Sequence, residues 1–122
     1  MSRPQALTAS LATATAFLDK ALATESSDIQ RAATIQAFEF CFELGWKLLK
    51  ARLREEGVDV ATPKAAFRAA GDAGMIDSVE EWLGYLQLRN LTSHTYDEAL
   101  SREVYAKVSG GFLSAARALL EA

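Results

Sequence analysis

Apolar residues along this chain recur at helical spacing from one end to the other. Leu7, Leu11, Ala14, Leu18 and Leu22 follow one another at steps of four, three, four and four, and predict a first helix over residues 4–23. Pro4 suits its first turn, where a missing amide proton costs nothing. The stretch "ESSDIQ" breaks the stripe, and Ser27 with Gln30 reads as a capping box opening a second helix over 27–56. On that helix Ile35, Phe38, Phe42, Gly45, Leu49 and Leu53 form one stripe, and Phe40, Leu44 and Leu48 begin another beside it. A helix apolar on two sides is central to its bundle, or meets a partner chain as well as its own core. Gly57 is the expected left-handed residue past its end.

Thr62 and Pro63 start a short third helix that stops near "GDAG". Ser78 and Glu81 form a second capping box, opening a fourth helix with Val79, Trp82, Leu83 and Leu86 inward. A last helix over 98–121 places Val104, Val108, Phe112, Ala115 and Leu119 on one face. Gly110 and Gly111 weaken it by about 1 kcal/mol each relative to alanine, which predicts a bend or a close helix contact there. With no β-alternation and no repeats, the expectation is one all-α domain over residues 1–122, a five-helix antiparallel bundle.

Composition narrows the function classes. At 122 residues, 50% hydrophobic and 24% charged, the chain can bury a modest core and is not of disordered type. A net charge of −3 argues against a protein that coats nucleic acid, DNA included, through a broad basic surface, although a local basic pocket stays open. Cys41 stands alone, so no internal disulfide and no cysteine zinc site is expected, and its place is the core. The N-terminal stretch lacks the continuous apolar run of a signal peptide, no stretch is apolar enough for a membrane span, and a cytoplasmic location is expected.

Candidate chemistry gathers in "RNLTSHTYDEAL", residues 89–100, which holds the only histidine. On an uninterrupted helix Arg89 and His94 would stand about 140° apart. Asn90, Thr92, Ser93 and Thr95 favour caps and turns, so the fourth helix is expected to end here and allow the two to converge. Arginine offers a donor fork suited to phosphate oxygens, and histidine can carry a proton near neutrality. Together they suit metal-free RNA cleavage, the histidine serving the 2'-hydroxyl or the leaving oxygen and the arginine the charge that develops on phosphorus. One histidine is few for acid–base work, and a two-fold dimer would supply two. The plain alternative is that His94 is a cap or surface residue, Tyr96 a half-buried anchor, and Arg89 a cation at its helix's carbonyl end.

The run from Arg89 to Tyr96 resembles the Arg-polar-x-x-x-His-x-Tyr signature of HEPN domains, in the group paired with minimal nucleotidyltransferases and often labelled nucleotidyltransferase substrate-binding protein. "FEFCFELGWKLLK", residues 38–50, is similar to that group's Phe-Glu-x-x-Phe-Glu-x-x-Trp-Lys helix, and the likeness extends through "AGMIDSVEEWLGYLQLRN". The resemblance implies a helical bundle that forms a homodimer, with the signature in a cleft between protomers. It implies a metal-independent endoribonuclease toxin acting on RNA such as tRNA or mRNA, with no cofactor. Arg89 and His94 match its catalytic pair, Asn90 the polar residue after the arginine, and Tyr96 the residue to which a separately encoded nucleotidyltransferase antitoxin adds AMP. A bulky anionic group beside the phosphate site would exclude RNA. The family's other reading is a non-catalytic subunit that presents substrate to the nucleotidyltransferase.

Glu39, Glu43 and Lys47 lie at four-residue steps on the second helix. They read either as exposed ion pairs contributing ~0.3–0.5 kcal/mol, or, for Glu43 and Lys47, as cleft residues that orient His94 or RNA. Trp46 and Trp82 read as core or dimer-interface aromatics. Lys50, Arg52, Arg54, Lys64 and Arg68 form either a basic rim or, mixed with Glu55 and Glu56, a solvated surface.

Overall fold

The computed structural model describes residues 1–121 and contains six α-helices and one 3-10 turn in that span, with no strand. They are α1 (Arg3–Ala23), α2 (Asp28–Glu55), α3 (Pro63–Asp72), α4 (Val79–Leu91), a 3-10 turn (Thr92–His94), α5 (Glu98–Val108) and α6 (Phe112–Ala118). The all-α expectation holds.

Local chemistry sets most boundaries. Ser2, Ser27, Thr62, Ser78 and Asp97 each accept a backbone N–H in the first turn of the helix they precede, meeting a donor that has no partner inside the helix. A reciprocal capping box forms at Ser2 and Gln5, beside the proline that marks the helix start in the sequence. At Ser27 and Ser78 only half of the expected box forms. The Gln30 side chain turns into the core to donate to Ala21 O at 2.8 Å and Tyr105 Oη at 3.0 Å. Glu81 instead accepts from Tyr85 Oη at 3.2 Å. Gly57 past α2 has φ +82°, as its place demands.

The expected last helix over 98–121 is two helices. The chain leaves α5 at Ser109, and Gly111 adopts φ +133°, which no side-chain-bearing residue takes comfortably. The break re-aims the chain, so Val104, Val108, Phe112 and Leu119 are buried although they do not share one continuous helix.

α1 packs along α2, and α2 meets α3, α4, α5 and α6 in turn, so it is the central helix. Phe38, Phe42, Phe67 and Phe112 are fully buried around Trp82. Phe38 meets Phe112 edge-on with centroids 4.6 Å apart, and Phe67 stacks on Trp82 at 5.3 Å. Burying each such ring stabilises the fold by about 1.5–3 kcal/mol before entropy is counted. Cys41 lies in this core, and burial pushes its thiol up to about 12. On α2's second side Leu48 is buried and Leu44 partly so, but Phe40 is half exposed. No helix is long and apolar enough to cross a membrane.

Candidate functional site

α4 ends where its sequence stops favouring helix. Thr92, Ser93 and Thr95 each turn a hydroxyl back to a carbonyl three residues earlier, giving Thr92 Oγ1 to Arg89 O at 2.7 Å and Thr95 Oγ1 to Thr92 O at 3.0 Å. These bonds compete with the regular ladder and tighten the chain into the 3-10 turn ending at His94.

Arg89, in the last turn of α4, is half-buried and reaches across to α2. Its Nη1 lies 3.3 Å from Glu39 Oε2 and donates to Thr92 Oγ1 at 3.0 Å. Its Nε lies 3.5 Å from Glu43 Oε1. That last contact is a charge contact only, since the buried Nε has no hydrogen-bond partner. The hydroxyl proton of Thr92 is within reach of Glu39 Oε2, at 3.0 Å, as well as of Arg89 O. Glu43 is held from its other side by Trp46, whose Nε1 donates to Oε2 at 3.1 Å. Glu39, Glu43 and Trp46 on α2 thus restrain one arginine on α4, whose Nη2 makes no hydrogen bond among the described residues.

His94 and Tyr96 are exposed just beyond this network, their rings edge-to-face with centroids 6.1 Å apart. Tyr96 is 86% exposed, so it is no half-buried anchor. No hydrogen bond or ion pair among the described residues joins His94 to Arg89. Asn90 is exposed and contributes its carbonyl to Ser93. Lys47 is exposed and pairs with no carboxylate among the described residues, so the expected Glu43–Lys47 ion pair is absent: Glu43 turns to Arg89 and Trp46 instead.

Two members of the network, Glu39 and Thr92, carry no site role in the sequence reading. The signal that points to them is a matched spacing, with Glu39 and Glu43 one turn apart on one helix, and Arg89 and Thr92 three residues apart where another helix ends. Trp82 is core, as expected, whereas Trp46 is only partly buried. Of the five cations read as either a basic rim or a solvated surface, Arg52 has left the surface set. Its Nη1 donates to Leu119 O at 2.8 Å, and burial lowers its pKa.

The chain matches the model of a family described as nucleotidyltransferase substrate binding protein like, over residues 5–122. A Haemophilus influenzae protein named probable ribonuclease HepT is 37% identical over 95 residues, covering 74% of this chain and 64% of that protein. The chain therefore spans less than two thirds of that relative's length. Among solved structures, a Thermus thermophilus protein superposes with a TM-score of 0.83 at 35% identity, over 91% of this chain and 96% of that one. A Haemophilus influenzae structure, described as revealing the fold of a substrate binding domain of a nucleotidyltransferase, superposes with a TM-score of 0.82 at 30% identity, over 93% and 96%.

Proposed function

This chain belongs to the nucleotidyltransferase substrate-binding-protein-like family, and from that premise we propose that it is a HEPN-type endoribonuclease toxin. In this reading it acts on RNA as a homodimer, needs no metal, and is silenced by a nucleotidyltransferase partner encoded nearby. The observation that carries the reading is the restrained arginine. Arg89 is oriented by Glu39, Glu43 and Thr92, with Nη2 in no hydrogen bond among the described residues, one short turn before an exposed histidine. A donor fixed before the reaction stabilises developing charge without reorganising. The ribonuclease name borne by the Haemophilus influenzae relative supports the same class.

The chemistry proposed is transesterification. The imidazole of one His94 takes the proton of a ribose 2'-hydroxyl, whose oxygen attacks the adjacent phosphorus. The bond from phosphorus to the 5'-oxygen breaks, and that oxygen takes a proton from His94 of the second protomer. Arg89 donates to the phosphoryl oxygens as charge builds on them. Within one protomer no hydrogen bond or ion pair among the described residues joins the histidine to Arg89, and in this reading a two-fold cleft supplies both the second proton carrier and the closure. Asn90 and Lys47, exposed beside the network, are assigned to holding the RNA.

One observation favours the second reading, a binding subunit that presents substrate to the nucleotidyltransferase. Two carboxylates face one guanidinium, so the cluster's formal charge is −1 if all three are ionised, which opposes an incoming phosphate unless the neighbouring cations compensate. The substrate-binding description of the solved Haemophilus influenzae relative supports it too. Expressing the chain without its partner separates the two. Growth arrest that disappears with His94→Ala supports the ribonuclease, and arrest that persists unchanged removes it.

A further inference from the structure

The residues that hold Arg89 are followed along α2 by cations on the same side. Glu39, Glu43, Lys47, Lys50 and Arg54 recur at steps of four, four, three and four, and fall within a sector of about 80° at 100° per residue. Lys47, Lys50 and Arg54 join Arg3, from the first turn of α1, in lining a half-open groove of about 540 Å³. Glu55 is its one acidic lining residue, so four cations face one carboxylate in a chain whose net charge is −3. None of the four cations is ion-paired among the described residues. Lys64 and Arg68, on α3, do not line it.

Trp46 joins this groove to the arginine network. Its Nε1 is bound to Glu43, and its ring carries the Lys50 ammonium 5.7 Å from the centroid. With that face covered by a cation, the indole is a wall and a charge partner rather than an open platform for a base. From Glu43 to Arg54 the helix rises about 16 Å, or about five steps of a strand stacked at ~3.4 Å per nucleotide.

We propose that this groove is the RNA-holding site, which grips several successive phosphates of a single strand and leads the strand past Trp46 to Arg89 and His94. The proposal rests on the ribonuclease reading for what happens at the end of the track, but not for the grip itself. Contacts made by side-chain charges to phosphates carry no sequence information, so binding here is sequence-tolerant. The groove also supplies the positive potential that the Glu39–Glu43–Arg89 cluster lacks.

The test is the salt dependence of binding for a labelled 2'-O-methyl oligonucleotide, which lacks the attacking hydroxyl and survives. Four phosphate contacts predict a slope of log K against log salt of about −2.8, at ~0.7 per contact for a single strand. Lys50→Gln with Arg54→Gln removes two exposed charges and should halve the slope to about −1.4. Lys64→Gln with Arg68→Gln makes the same charge change on α3 and should leave the slope alone. An unaltered slope in the groove variant, or an equal loss in the α3 variant, overturns the groove. Groove-dependent binding by a protein that cleaves no RNA supports the groove and removes the ribonuclease reading.

Discussion

Arg89 at the end of α4 lies 3.3 Å from Glu39 on α2, and Thr92 Oγ1 sits 3.0 Å from each of them, at Arg89 Nη1 and Glu39 Oε2. Both charged side chains are about one-third exposed, so solvent screens the pair and it contributes ~1 kcal/mol or less to stability. Its consequence is orientation. Glu39→Ala should therefore leave the urea midpoint nearly unchanged while RNA cleavage falls by about tenfold or more, the cost of a misplaced donor. Equal, small effects on stability and rate would mean that the clamp has no role in the reaction.

Gln30 makes the opposite case, a polar residue whose work is structural. It is buried, and its amide caps the carbonyl of Ala21 at the end of α1 while reaching Tyr105 on α5. Gln30→Leu removes the side-chain donor to that carbonyl, which keeps the Thr24 amide at 3.2 Å, and should lower unfolding free energy by about 0.5–1.5 kcal/mol, read from urea melts. RNA cleavage measured well below the new midpoint should be unchanged.

Cys41 is sealed in the core, its thiol raised from an ordinary value near 9 to about 12 by burial. A thiol reagent at pH 8 should label the folded protein only as fast as it opens, and promptly in denaturant. As pH rises past 9 the unfolded chain's thiol ionises first, so this contribution to stability is intact below pH 9 and is lost progressively towards 12. Rapid stoichiometric labelling of native protein would contradict the packing described here.

These contrasts show what is readable in the sequence. The caps at Ser27, Thr62 and Ser78 are local, one side chain to an amide three residues on, and so is the end of α4 in its run of hydroxyl residues. The core stripes of α1 and α2 are readable because helical period alone decides them. What stays hidden is tertiary. Gln30 looks like a capping partner until Ala21 and Tyr105 are brought beside it. Glu43 looks paired to Lys47 until α4 supplies Arg89. Gly110 and Gly111 announce a bend between α5 and α6, but the positive-φ turn resets the helical phase, which periodicity cannot anticipate.

Tyr96 stands out from the surface with its hydroxyl hydrogen-bonded to nothing among the described residues, beside His94. Co-expression with a partner nucleotidyltransferase should add AMP mass to the native protein and abolish cleavage, while Tyr96→Phe should cleave RNA but neither gain mass nor be silenced. Modification of the Tyr96→Phe protein to the same extent would place the acceptor elsewhere.

The most direct measurement is the cleavage rate of purified protein on RNA in excess chelator, for the unmodified chain, Arg89→Lys and His94→Ala, each verified as folded by circular dichroism. Losing the proton carrier should slow cleavage by about 10²–10⁴-fold. Lysine keeps the charge but not the guanidinium fork held by Glu39 and Thr92, and should slow it substantially as well. Undiminished cleavage by both variants, or none by the unmodified chain, would contradict the account.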